Sequence, residues 1–245
     1  MRHLGFQEIV PDVYQLGGFW GSGVLGANVF LLAGERLTLV DTGFKGRLKG
    51  IIDSVKQLGY SALDIGRIIV THHHADHTGN LADLKKLTNA EVIAHTADVP
   101  YIDGTLPQPG LQRPVWLSRY LASFDWSWAY KPVKVDLMVN DGDELPVLTG
   151  VRIIHSPGHT PGSICLWLRN KGVLIVGDVL AHRFGLRLPA LSFTVDIAEE
   201  IRSVNKIAQL DFETVCFGHG SPIKEYARET VAKFAAKIAK RYLRE

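Results

Sequence analysis

The chain has 245 residues, enough to bury a sizeable core in one large domain or two small ones, and 46% of them are hydrophobic. A formal net charge of only +2 argues against a dedicated nucleic-acid surface, and no apolar run approaches the ~18–20 residues of a membrane-spanning helix. The two cysteines, Cys165 and Cys216, sit in apolar strand-like runs, so no disulfide framework is expected; with no export signal legible in residues 1–8, a reducing cytoplasm is the natural setting.

Residues 13–16 and 27–33 read as strands separated by the glycine-rich run Gly17-Gly18-Phe19-Trp20-Gly21-Ser22-Gly23. No helix follows that run, so it is no phosphate loop. It is either a flap that sets Phe19 and Trp20 as an apolar wall over a site or a plain hairpin connection. Leu37-Thr38-Leu39-Val40 is a buried strand ending in Asp41-Thr42-Gly43. An acid there is often a turn residue, but Asp41 can also orient a ligand histidine through its second ring nitrogen. Leu48, Ile51, Val55 and Leu58 mark a helix stopped by Gly59.

A β-branched strand at 67–70 then runs into Thr71-His72-His73-His74-Ala75-Asp76-His77. Ten histidines in the whole chain make any single one uninformative, but four within six positions around an aspartate, just past a strand, are hard to obtain by composition alone. Imidazole and carboxylate are the usual ligands of zinc, with iron and manganese as alternatives. Thr78-Gly79-Asn80 supplies a turn and helix cap ahead of Leu81, Leu84 and Leu87 at helical spacing.

The strand at 91–94 leads to His95, read as structural or as a support for the site. From about 100 to 132 the pattern dissolves into an insertion with five prolines and three of the five tryptophans. A short helix at 113–123 would carry Trp116 and Tyr120. The insertion reads equally as a lid, a substrate wall, a homodimer surface or part of the chain's own core. Strands follow at 135–139, 151–155, 164–168 and 173–176, the last two joined as a hairpin through Asn170-Lys171-Gly172. Asp196-x-x-Glu199 opens a helix with Ile197, Ile201, Val204 and Ala208 on one face, and 214–217 is the last strand. Ala227, Val231, Phe234, Ile238 and Tyr242 stripe a basic C-terminal helix, read as a packed cover. The two halves echo each other and no linker is visible. This predicts one domain, 1–245, built as a two-sheet sandwich with helices outside and ligands at one edge.

Three more candidates stand just past strands beside glycine: His159, Asp178 and His219. With His72, His74, Asp76 and His77 they make a set suited to two metals that share one carboxylate and one water. In this order, Asp41, His72-x-His74-x-Asp76-His77, His159, Asp178 and His219 resemble the five ordered motifs of the metallo-β-lactamase superfamily. The resemblance runs from about residue 10 to the C-terminal helix.

That resemblance implies an α/β fold, the αββα four-layer sandwich with two mixed sheets, and two divalent metal ions per chain, zinc first among them. It implies that His72, His74 and His159 hold one ion, Asp76, His77 and His219 the other, and that Asp178 bridges, while His73 faces away. The implied chemistry is metal-assisted hydrolysis of a small molecule by a hydroxide held between the ions, with Asp76 orienting the nucleophile or passing its proton to the leaving group. An aspartate at 178 is similar to the glyoxalase II and lactonase branches rather than to true β-lactamases. Yet the segment after it, Val179-Leu180-Ala181-His182-Arg183, lacks a basic glutathione-binding pattern, and Ala181 stands where related lactonases carry a tyrosine. His182 is the substitute proton donor to consider, against a plain surface role. Ester, lactone or thioester hydrolysis is therefore expected, ahead of phosphodiester or phosphotriester hydrolysis and ahead of a metal-binding module without catalysis. The partner expected is a small-molecule substrate, with neither nucleic acid nor membrane.

Overall fold

The structure is a computed structural model that describes residues 5–17, 26–107, 131–148 and 150–242. Most of the insertion, including the helix expected at 113–123, lies outside the described residues. Seven strands make the first sheet, in spatial order β1 (Gln7–Val10), β2 (Val13–Leu16), β3 (Val29–Ala33), β4 (Leu37–Val40), β5 (Ile65–Ile69), β6 (Glu91–His95) and β7 (Leu137–Val139). β1 to β4 pair antiparallel and β4 to β7 parallel. The second sheet is built from β8 (Glu144–Leu145), β9 (Val151–His155), β10 (Ile164–Leu168), β11 (Val173–Ile175) and β14 (Thr214–Cys216), which lie side by side in that order. A small hairpin, β12 (Ala181–His182) with β13 (Leu186–Arg187), stands apart from both.

Strands such as Val29–Ala33 and Leu37–Val40 are apolar on both sides because each sheet is covered on both faces. Alternation then sorts the side chains. Phe30, Val40, Ile69 and Ile93 of the first sheet meet Ile153, Ile164, Leu166 and Ile175 of the second in a core between the sheets. The opposite faces are covered by helices. Ile51 and Val55 of α1 (Leu48–Gln57) and Leu81 and Leu84 of α3 (Leu81–Thr88) pack on Leu39, Ile68 and Val92. Ile201 and Val204 of α5 (Ile197–Ile207) and Val231 and Ile238 of α6 (Ala227–Tyr242) pack on Cys165, Leu174 and Val215. Two one-turn helices, α2 (Ala75–Thr78) and α4 (Val99–Ile102), follow β5 and β6. The layering is α, β, β, α, and among the described residues no helix is long and apolar enough to cross a membrane.

Several local expectations shift. Leu87 is exposed, because residues three apart drift about 60° around a helix at each step and Leu87 has walked off the buried face of Leu81. Tyr242 is also exposed, with Arg241 over its ring, and Ala235 takes a buried place on α6. The strand expected at 135–139 is only Leu137–Val139, with Val135 buried in the segment before it. Asn80 begins α3 without capping it; its Oδ1 accepts instead from the backbone N–H groups of Gly46, Arg47 and Leu48 at 3.1, 3.1 and 3.2 Å, at the start of α1. Asp196 does cap α5, accepting from Glu199 N at 2.9 Å.

Topology now places the chemistry. β4, β5 and β6 run parallel, so the loops after them leave one edge of the first sheet. In the second sheet β9, β11 and β14 share a direction, so the loops after them also leave one edge together. The backbone of Ile164 donates to Thr71 O at 3.0 Å and draws the two edges together.

Candidate metal centre

Past β5 the chain stays extended to His74 (φ −60, ψ 148) and then turns into α2. Alternate residues of an extended segment face the same way, so His72 and His74 point to one side and His73 to the other. His73 stacks on Tyr101 with ring centroids 4.6 Å apart. The turn of α2 then adds Asp76 and His77.

Three groups of side chains bring their ligand atoms within 4.8 Å of one another: His72, His74 and His159; Asp76, His77 and His219; and His72, His77 and Asp178. The first two are separate triads and the third straddles them. Asp178 Oδ1 lies 3.4 Å from His77 Nε2, and its Oδ2 lies 3.6 Å from His159 Nε2 and 3.2 Å from His219 Nε2. Asp76 Oδ2 is 3.1 Å from His219 Nε2. So close a packing depends on small neighbours. A Cβ at Gly218 would strike Asp178 Oδ1, and one at Gly158 (φ +130), beside His159, would strike the backbone of Glu200.

The far nitrogens of His72, His77, His159 and His219 face polar partners. His77 Nδ1 lies 2.7 Å from Asp41 Oδ2, so the structure sets the acid at the end of β4 against a ring of the 72–77 cluster. Asp41 also accepts from the Thr71 backbone N–H and hydroxyl, both at 2.8 Å, and is left-handed at φ +61, a conformation aspartate tolerates better than most residues. Since the Thr71 hydroxyl donates to Asp41, it accepts from His72 Nδ1 at 3.1 Å. His159 Nδ1 faces Thr194 Oγ1 at 3.3 Å, and His219 Nδ1 faces Gly26 O at 3.2 Å. Arg183 Nη2, a donor, lies 2.9 Å from the same His219 Nδ1, so it competes with the Gly26 carbonyl for that nitrogen. Rings that donate from Nδ1 turn Nε2 inward, as a lone pair in the neutral imidazoles and as a proton a metal can replace in His77 and His219.

Inside the cluster the Nε2 atoms of His72, His77 and His159 and Oδ1 of Asp178 are buried with no hydrogen-bond partner among the described residues. Buried polar atoms left so are costly, and four converging on one point fit divalent cations. Electrostatics agree. Burial, and after it the neighbouring imidazoles, holds His72 and His74 well below the usual histidine pKa, and burial brings His159 down to about 4. At His77 burial is outweighed by the carboxylates of Asp41, Asp178 and Asp76, which hold it well above the usual value. At His219 it is outweighed by Asp178 and Asp76, which raise it to about 9. Burial would raise Asp76 and Asp178, but His77 and His219 keep both low. Neutral nitrogens, two anions and two replaceable protons make a basin for positive charge.

All seven candidate ligands thus converge. His182 does not join them: its Nδ1 donates to Ser221 O at 2.8 Å and its ring leans on Phe217. Phe19 and Trp20 lie outside the described residues. His95 stacks on His155 at 3.8 Å, away from the ligand groups, and burial and that neighbour lower its pKa to about 4. Reading the sequence did not single out Phe193, whose part-exposed ring stands edge-on to His74 at 6.1 Å, nor Thr71, Thr194, Arg183 or Asp98.

Comparison with known proteins gives three kinds of match. The family model described as the metallo-beta-lactamase superfamily matches residues 22–219. YflN, a probable metallo-hydrolase of Bacillus subtilis, is 28% identical over 225 residues, 84% of this chain and 85% of its own length. A hydroxyacylglutathione hydrolase of Rhodospirillum rubrum is 26% identical over 171 residues, 69% of this chain and 52% of its own length. A metallo-beta-lactamase family protein from Thermus thermophilus shares the fold, with a TM-score of 0.75 at 23% identity over 96% of this chain and 81% of the other.

Proposed function

The chain belongs to the metallo-β-lactamase superfamily, and from that membership we propose that it is a metal-dependent hydrolase that opens an ester, lactone or thioester bond of a small molecule at a two-metal centre. The observation that carries this reading is Asp178, whose two carboxylate oxygens face histidines of both triads. The names of the relatives, a probable metallo-hydrolase and a hydroxyacylglutathione hydrolase, support the reaction class.

His72, His74 and His159 would hold one ion, Asp76, His77 and His219 the other, and Asp178 both. Nitrogen and carboxylate donors suit zinc first, with iron and manganese as alternatives. Bound there, two divalent ions supply Lewis acidity and a water acidified toward neutral pH. The protein supplies the rest. Thr71, Asp41, Thr194 and the Gly26 carbonyl keep the rings aimed inward, so little reorganisation is needed during reaction. Asp76, at 33% side-chain exposure against 8% for Asp178, is the carboxylate that a substrate can reach. It orients the attacking water and carries its proton to the leaving group. Phe193 offers an apolar rim beside His74 for the acyl part of the substrate.

The test is a hydrolysis panel of lactone, thioester, ester and phosphodiester substrates on metal-loaded protein, with His72→Ala as control. Turnover of a carbonyl class that His72→Ala abolishes while still folding is the expected result. Turnover of the phosphodiester alone would move the assignment to phosphoryl chemistry, and full metal loading without any turnover would leave a binding module.

A further inference from the structure

Asp98 belongs to none of the ordered motifs. It sits just past β6, at the start of α4, and its side chain is 1% exposed. A carboxylate so deeply buried needs several donors, and it finds them in two places. Its Oδ2 accepts from the His73 backbone N–H at 2.8 Å and from the Thr160 hydroxyl at 2.8 Å, and lies 3.1 Å from His73 Nδ1. Its Oδ1 accepts from the Gly162 backbone N–H at 2.6 Å. His73 stands between His72 and His74, and Thr160 follows His159. One carboxylate therefore ties together two loops, one from each sheet, that carry the whole first triad. Among the described residues its side-chain hydrogen bonds go to these loops alone. The approach is close by construction: a Cβ on Gly162 would come within 2.7 Å of Asp98 Cγ.

We propose that Asp98, with His73 as its partner, is a positioning residue for one metal only: it sets the affinity of the His72, His74 and His159 triad by holding the two loops in register. Asp98 touches no ring of the second triad; there the acid is Asp41, which holds His77 and reaches His72 only through Thr71. The proposal rests on the two-metal reading above. A residue that merely stabilises the fold would affect both ions alike, so selectivity between the triads is what separates the two roles. The physical cost is definite. In Asp98→Asn, Oδ1 can still accept from Gly162, but the new amide presents donors to the donors of His73 and Thr160. The loops then lose their common anchor and must be ordered at the expense of metal binding. Loss of such a supporting contact typically lowers metal affinity about 10–100-fold.

The experiment is a titration of the full-length metal-free protein with zinc against a chromogenic chelator, in two backgrounds. His219→Ala leaves the first triad to report, and His159→Ala leaves the second. In the first background Asp98→Asn should weaken binding about 10–100-fold, and in the second it should leave the constant unchanged. The visible spectrum of the cobalt(II)-substituted protein should change in the first background only. Equal losses in both backgrounds, or no loss in folded Asp98→Asn, would overturn the proposal. If that variant fails to fold, Thr160→Val removes a single contact and decides the matter in the same way: a smaller loss confined to the first triad supports the clamp, and an unchanged constant overturns it. A wild-type protein that takes one ion only counts against the two-metal reading. Asp98 is then judged on that ion, and a constant indifferent to Asp98→Asn overturns the clamp.

Discussion

Asp41→Asn preserves shape but removes a negative charge and replaces one acceptor oxygen with an amide donor. In the native protein Asp41 Oδ1 accepts from Thr71 N at 2.8 Å, while Oδ2 accepts from the Thr71 hydroxyl at 2.8 Å and holds His77 Nδ1 at 2.7 Å. Asparagine can keep the first bond with its carbonyl, which turns its amide toward Thr71 Oγ1 and His77 Nδ1. The threonine hydroxyl can rotate and accept. His77, protonated on both nitrogens in the metal-free protein, can accept only by giving up its Nδ1 proton and keeping the one on Nε2, the nitrogen that faces Asp178 and would ligate. Metal binding at Asp76, His77 and His219 then has to reverse that tautomer and give up a hydrogen bond between buried groups. A hydrogen bond to a charged group contributes about 1.5–3 kcal/mol, and a 10–100-fold loss of affinity corresponds to about 1.4–2.7 kcal/mol. The assay is the zinc titration in the His159→Ala background, where only the second triad reports, with circular dichroism to establish folding. A folded Asp41→Asn whose second-triad constant stays at the wild-type value would refute the argument from tautomers.

Three further outcomes follow from buried titratable groups. In the metal-free protein His77 is held well above the usual histidine range and His219 near 9, so the stability they contribute is full below about pH 6.5; the part from His219 fades as pH rises through about 9, and the part from His77 fades above the usual histidine range. Metals compete with the same protons, so second-triad affinity should climb between pH 7 and pH 9, and a flat or falling profile would contradict this. Glu200, 1% exposed with neither carboxylate oxygen hydrogen-bonded among the described residues, is raised well above the usual value by burial. The native state keeps a proton that the unfolded chain gives up above about pH 4.3, so stability declines as pH rises from there. Glu200→Gln should therefore melt at or above the wild type at pH 8, and a Tm lower by more than about 4 °C, roughly 1–2 kcal/mol for a chain this size, would count against it. Burial pushes the Cys165 and Cys216 thiols up to about 12, so neither should react with a thiol reagent at pH 8 until the protein unfolds. Native-state labelling of either would show the strands to be more open than described.

The ligands were legible because each group follows a strand: the 72–77 cluster comes directly after a β-branched run, and His159, Asp178 and His219 each stand next to a glycine that betrays the turn. His72 and His74 share a face by simple alternation, and Asp41 was foreseeable as an orienting acid because it ends a strand parallel to the one that feeds the cluster. Asp98 was not legible. Nothing in Thr96-Ala97-Asp98 marks it, and its partners are 25, 62 and 64 residues away in the chain. Asn80 misled for a related reason: an asparagine before a leucine-rich helix is a plausible cap, but a side chain with one acceptor serves whichever helix start lies nearest in space, here that of α1. Leu87 shows the limit of counting in threes on a helix with 3.6 residues per turn. Arg183 and Phe193 border the cluster from a segment without periodicity, and only the fold brings them to His219 and His74.

The central claim is a pair of metal ions joined by Asp178, and metal content tests it most directly. Elemental analysis of wild-type protein and Asp178→Ala, both dialysed without chelator, should give two ions per chain in the first and fewer in the second, together with slowed turnover. One ion or none in the wild type, or two retained by Asp178→Ala, would contradict it.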